Sequence, residues 1–286
     1  MWSMTDFASL LPDTWFSETE QLFSSRADEF ASADPFPHVV IDSFLPPETA
    51  MACARAFPVP GSEKWIHYAH LNSSKWGMTD LEMMPDELRS VTVALNSPRF
   101  TAALSTLSGV AEIEADPELS GGGLHVTRNG GFLNVHSDFV SHPSNRSWRR
   151  QLNLLLYLTE DWQEQWGGQL ELWDVDMKRA VHEVVPVFNR CVIFRTSETS
   201  YHGVPNPLQT PESVQRNSLA LYYFSDEHSK VKMKPTNYRP RPVDGRRGAL
   251  LKVDNAALSL YSRLRVSLGI NDQSMGKLLG KFRRPK

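Results

Sequence analysis

Between residues 121 and 226 the chain runs through seven short apolar segments: GLHVTR, GFLNVHSDF, RQLNLLLYLT, GQLELWD, AVHEVVPVF, RCVIFRT and NSLALYYFS. Clusters of Gly, Pro, Asn and Ser separate them, which is how strands and their turns are written in a sequence. Many short strands at such spacing argue for a closed or double-sheet β architecture, a jelly roll or a barrel. The first part of the chain reads differently. Residues 5–33 are mainly helical in pattern, with Leu10, Leu11, Trp15, Phe16, Leu22 and Phe23 as apolar positions. A β-branched run at 37–45 then ends on Pro46-Pro47, where proline stops a strand and opens a helix, PPETAMACARAF. Asp86–Leu95 and Arg99–Leu107 are further helical segments, the second stopping near Gly109. The expected fold is mainly β with flanking helices (α+β), on a jelly-roll core. It divides into an N-terminal helical and strand extension at 1–120, a β core at 121–226 and a C-terminal extension at 227–286.

Composition removes several classes of protein. No apolar run approaches the roughly 18 residues of a membrane span; the strongly apolar stretch Leu154–Leu158 is far short of it. The first residues lack the basic start and apolar stretch of a signal peptide. The two cysteines, Cys53 and Cys191, allow neither a disulfide framework nor a cysteine-built zinc site. A reducing cytoplasm is the expected compartment. The formal net charge of −3 hides an asymmetry, since residues 228–286 carry 15 Lys and Arg against three acids, a net of +12. Residues 1–227 carry the other 15 against 30 acids, a net of −15. The basic segment has apolar residues at helical spacing, Leu258, Tyr261, Leu264, Val266 and Leu268. That pattern points to docking on the chain's own acidic body or on another subunit, with nucleic acid not expected.

The chemistry centres on NVHSDF. His136 and Asp138 stand at i and i+2 of a strand and share a face, so an imidazole and a carboxylate can converge on one ion. His202, 66 residues on and just after the strand CVIFR, is the candidate third ligand. Two histidines and one carboxylate form the facial triad that binds non-haem Fe(II) and leaves positions open for a co-substrate. Arg216 follows His202 by 14 residues and opens the strand RNSLALYYF. There it can pair bidentately with a carboxylate reaching in from the metal.

These stretches, with RRQLNLLLYLTEDW, GGQLELWD, VVPVFNRCVIF and YHGVPNP in the same order, resemble the core of the Fe(II)- and 2-oxoglutarate-dependent dioxygenases. The likeness is to the prolyl-4-hydroxylase-like branch. It implies a double-stranded β-helix core, Fe(II) as cofactor, and 2-oxoglutarate and O2 as co-substrates. By the resemblance His136, Asp138 and His202 are the metal ligands and Arg216 holds the distal carboxylate of 2-oxoglutarate, with Ser218 adding a hydroxyl. Tyr157 matches a position whose phenol contacts the same carboxylate, and Asn153, on the same strand face, lines the co-substrate pocket. Many prolyl hydroxylases carry a tyrosine about ten residues before the first ligand. Here Val126 stands there, beside His125, which puts the prolyl substrate in doubt and makes His125 a candidate replacement. Related halogenases have glycine or alanine in place of the carboxylate, so Asp138 favours hydroxylation over halogenation.

Two further residues are substrate-binding candidates: Arg128, on the loop before NVHSDF, and Asn134, which has the strand parity of His136. The aromatic-rich segment 63–85 shows little periodicity and reads as an irregular lid or substrate loop. Trp162 and Trp166 read as packing, Gly167-Gly168 as a turn, and the remaining histidines as structural. The expected activity is oxidation, chiefly hydroxylation, of an unactivated C–H bond in a small molecule such as an amino acid or natural-product intermediate, with succinate as co-product. The alternatives are a prolyl hydroxylase acting on a protein, a non-catalytic jelly-roll protein that binds a metal or ligand, and a cupin-type metal protein that does not use 2-oxoglutarate. A buried Arg216 argues against the last two, because it needs a carboxylate partner.

Overall fold

A computed structural model describes residues 11–61 and 64–245, with Gly248 and Leu251 beyond them. The expected helix at 258–268 lies outside the described residues. In chain order the elements are α1 (Asp13–Ser25), α2 (Ala27–Ser32), β1 (His38–Ile41), α3 (Pro47–Ala56), β2 (Ile66–His70), β3 (Ser73–Met78), α4 (Asp86–Leu95) and α5 (Pro98–Ser108). There follow β4 (Glu114–Ala115), β5 (Gly123–Thr127), β6 (Phe132–Ser137), β7 (Trp148–Tyr157), β8 (Leu170–Trp173) and β9 (Ala180–Val184). The last are β10 (Cys191–Arg195), β11 (His202–Val204), β12 (Arg216–Asp226) and β13 (Asn237–Tyr238). No helix among the described residues is long and apolar enough to cross a membrane.

The helices end where the sequence marks them. Ser97 caps α5 by accepting from the Phe100 N–H, Pro98 occupies its first turn, and Gly109 at φ 68° closes it. Its Phe100 is 1% exposed and lies against Trp15, Phe23 and Phe44. Trp15 in turn donates its indole N–H to the Phe44 carbonyl at 2.8 Å, so α1 and α5 close as one layer over the sheet. The Tyr223 hydroxyl donates to the Leu95 carbonyl at 2.9 Å and ties β12 to the end of α4.

The strands pair antiparallel in the order β1-β10-β7-β12-β5-β3-β6-β11-β8-β9, with β2, β4 and β13 attached at the side. This is the double-stranded β-helix, and strand alternation gives it two unlike faces. Leu152, Leu154 and Leu156 of β7, Leu219, Leu221 and Tyr223 of β12, and Leu124 and Val126 of β5 join the helices in the main core. The intervening residues, Asn153 and Leu155 on β7, Arg216 and Ser218 on β12, and His125 and Thr127 on β5, line a cavity on the opposite face.

Segment 63–85 differs from the expected loop. It contains a regular hairpin, β2 paired with β3 from Ile66↔Gly77 to His70↔Ser73, and β3 lies between β5 and β6 in the sheet. Its alternation is hard to read because the residues it turns to the cavity are polar or aromatic: Tyr68, His70, Ser73 and Lys75. β11, which carries His202, is a further strand, three residues long, outside the seven segments read as strands from the sequence.

Candidate metal centre and co-substrate pocket

His136 on β6 and His202 on β11 are partners in register across adjacent strands, with ring centroids 4.5 Å apart. Asp138 follows β6 on the same face. Its Oδ1 lies 3.5 Å from His136 Nε2 and its Oδ2 lies 3.5 Å from His202 Nε2. One ligand atom from each residue fits within 4.8 Å of the others, and all three residues are buried.

Backbone hydrogen bonds set the tautomers. His136 Nδ1–H donates to the Asn134 carbonyl at 2.8 Å and His202 Nδ1–H to the Ser200 carbonyl at 2.9 Å. Each imidazole therefore presents its Nε2 lone pair toward Asp138, the arrangement a metal ligand needs. Burial pulls the His202 pKa down to about 4, against the opposing charge of Asp138, so that ring is a neutral donor at physiological pH. Burial opposes ionisation of Asp138, yet the Arg150 guanidinium beside it holds its carboxyl well below the usual range. The donor set of two imidazoles and one carboxylate fits Fe(II).

The carboxylate is fixed from behind. Asn153 Nδ2 donates to Asp138 Oδ2 at 2.7 Å, and Arg150 Nη2 lies 3.2 Å from the same oxygen. Asn153 in turn accepts from Arg150 Nε at 2.8 Å and from Thr196 Oγ1 at 3.1 Å. Asn153 thus faces the cavity as expected and also orients the acid of the triad. Arg150 is missed by strand parity, which groups it with Leu152 and Leu154. The pairing shifts from Tyr223↔Leu152 to Phe224↔Arg150, so Gln151 is an extra residue in β7. The bulge swings Arg150 to the cavity side, where its guanidinium lies 3.4 Å from the Tyr222 ring centroid and 4.5 Å from that of Phe139.

Arg216 opens β12 and is buried, with Nε donating to the Gly168 carbonyl at 2.9 Å. Gly168 has φ +77°, and a Cβ there would lie 3.1 Å from Arg216 Cδ, so the turn leaves room for the arginine. No carboxylate pairs with Arg216 among the described residues. The Tyr157 hydroxyl is buried without a hydrogen-bond partner, and its ring centroid lies 4.7 Å from the guanidinium. Ser218 faces Tyr157 across β12–β7 and His125 across β12–β5, so the three line up in one cross-strand row. A buried arginine and an orphaned phenol side by side fit the distal carboxylate of 2-oxoglutarate.

The other expected substrate residues part company. His125 lines the cavity, and its Nδ1 lies 3.4 Å from Lys75 Nζ. Arg128 instead donates to the Pro60 carbonyl at 2.7 Å and lies over Trp76. Asn134 turns toward the β2–β3 turn, donating to Leu71 O at 3.3 Å and Asn72 Oδ1 at 3.2 Å. Val126 packs in the core away from the cavity, while Tyr68, Tyr222 and Tyr238 line it.

The inner face of the double-stranded β-helix gathers two histidines, a carboxylate and a buried arginine around one cavity. Residues 122–224, the strands that carry the site, match the family model of the 2OG-Fe(II) oxygenase superfamily, and the His-Asp-His cluster suits the Fe(II) and 2-oxoglutarate that superfamily uses. The chain is 25% identical over 213 residues to mouse (Mus musculus) prolyl 3-hydroxylase OGFOD1, covering 72% of this chain. The match spans 35% of that relative, about a third of its length. Among solved structures, a Pseudomonas putida prolyl-4-hydroxylase aligns with a TM-score of 0.52 and 21% identity over 71% of this chain and 98% of its own. A Trichoplax adhaerens prolyl hydroxylase, solved with a hypoxia inducible factor peptide fragment, aligns with a TM-score of 0.55 and 17% identity, covering 78% and 97%. Both likenesses are of fold.

Proposed function

We propose that this protein is an Fe(II)- and 2-oxoglutarate-dependent dioxygenase that hydroxylates an unactivated C–H bond of a small molecule, an amino acid or natural-product intermediate. The observation that carries it is one cavity shared by the His136–Asp138–His202 cluster and an arginine with no carboxylate partner among the described residues. In this reading His136, Asp138 and His202 hold the metal, and Arg216, Tyr157 and Ser218 hold the co-substrate. When bound, iron, 2-oxoglutarate and O2 supply the oxidising chemistry, with succinate and CO2 as co-products. The chain's own residues orient and enclose: Asn153 and Arg150 fix the Asp138 carboxylate, and the backbone carbonyls of Asn134 and Ser200 fix the imidazoles. The cavity wall keeps bulk water from the reacting bond.

A second reading, hydroxylation of a prolyl residue in a protein, is favoured by the name of the mouse relative. Anaerobic titration of the Fe(II)-loaded protein with 2-oxoglutarate tests the common part. A weak visible charge-transfer band is expected, absent in His136→Ala and Asp138→Ala. Its absence from folded, iron-loaded wild type overturns the oxygenase reading. Succinate release stimulated by small molecules, and not by proline-containing peptides, separates the two substrate classes.

A further inference from the structure

The cavity is lined by three cationic side chains, Lys75, Arg150 and Arg216, and one carboxylate, Asp138. Lysine, arginine and carboxylate side chains alone give the lining +2. A divalent cation and dianionic 2-oxoglutarate add charges that cancel, so the sum stays at +2 when both are bound. Arg150 has a partner in Asp138, and Arg216 has one in the distal carboxylate of the co-substrate. Lys75 has none: among the described residues its Nζ meets only His125 Nδ1, at 3.4 Å, and the Tyr68 ring, 5.7 Å to the centroid. Lys75 is half-buried, and a cation lining a cavity with no anion beside it is costly; it stands on β3, the strand that separates β5 from β6.

We infer that Lys75, with His125 beside it, is the binding site for a carboxylate of the substrate, so that the enzyme acts on a small carboxylic acid. This rests on the oxygenase reading above. The ammonium supplies the charge, and the cavity-lining Tyr68 ring borders it on the hairpin side. Burial lowers the Lys75 pKa to about 8 against the pull of Asp138, leaving it mainly protonated at pH 7, and an arriving carboxylate would raise it again. The neighbouring His125 is pushed well below its usual range by burial and by Lys75, so its ring adds no second charge. The segment expected as an irregular lid or substrate loop thus becomes a regular hairpin wall that selects substrate by charge.

The test uses the full-length protein loaded with Mn(II) and saturated with 2-oxoglutarate, with 13C-acetate as the minimal probe. The paramagnetic ion should enhance acetate carbon relaxation saturably, and acetamide should show no such effect. Lys75→Met should weaken acetate at least tenfold, Lys75→Arg should retain it, and 2-oxoglutarate affinity should stay unchanged in both. Equal acetate binding in Lys75→Met, equal binding of acetamide, or displacement of 2-oxoglutarate by acetate overturns the assignment. The wild-type comparison of acetate with acetamide needs no variant. Failure of the Mn(II) protein to bind 2-oxoglutarate would instead sink the oxygenase reading, so the two failures are distinct.

Discussion

Each side chain of the metal cluster is held by a second group, and this makes single substitutions informative. Asn153→Ala removes the 2.7 Å hydrogen bond to Asp138 while leaving all three ligands. Loss of such a supporting bond costs about 10–100-fold in metal affinity, to be read by competitive iron titration. Arg216→Ala should abolish 2-oxoglutarate binding with iron retained, since the distal carboxylate would lose the arginine assigned to it; calorimetry on the iron-loaded protein checks this. A carboxylate outside the cluster sets acid sensitivity. Asp116 is 2% exposed and lies 3.1 Å from His142 Nε2. Burial opposes its charge, but His142 and the N–H groups of Glu118 and Ser120 hold its pKa below 3.8. A carboxyl with a lower pKa folded than unfolded contributes stability that is complete above pH 3.8 and lost as pH falls through the folded value. Metal-free wild type should therefore lose stability below about pH 4, and Asp116→Asn should flatten that part of the melting-temperature profile.

At the scale of elements, α5 and the bulge in β7 decide how the sheet's two faces are used. Phe100 anchors α5 beneath three other aromatic rings, so Phe100→Ala should destabilise the protein by about 3–5 kcal/mol in urea unfolding. The helix itself is legible, because Ser97, Pro98 and Gly109 mark its ends in the sequence. The strands with clean alternation are legible too: the parity of β7 and β12 places Asn153, Tyr157, Arg216 and Ser218 on one side from the sequence alone. Arg150 is not, since one extra residue at Gln151 reverses its side and nothing local announces a bulge. The β2–β3 hairpin is hidden for a related reason. Its inward side chains are polar because they face the cavity, and a strand without an apolar stripe does not look like one.

Over the whole molecule, the acidic body of residues 1–227 encloses a cavity of opposite sign. Buried ion pairs are screened far less than exposed ones, so 2-oxoglutarate affinity should change less than about threefold between roughly 50 and 500 mM NaCl. A steep loss would place the co-substrate carboxylate at an exposed cation instead. The jelly-roll class, the helical layer and the HxD…H…R series of His136, Asp138, His202 and Arg216 are legible along the chain. Those features rest on local periodicity, capping chemistry and residue type, all of which act over a few neighbours along the chain. Folding is what brings His136 and His202 into register, sets Arg150 with Asn153 behind Asp138, and carries Lys75 to the same cavity. Arg150 and Asp138 are 12 positions apart and His136 and His202 are 66 apart, and strand order and register, which no short stretch of sequence encodes, bring each pair together.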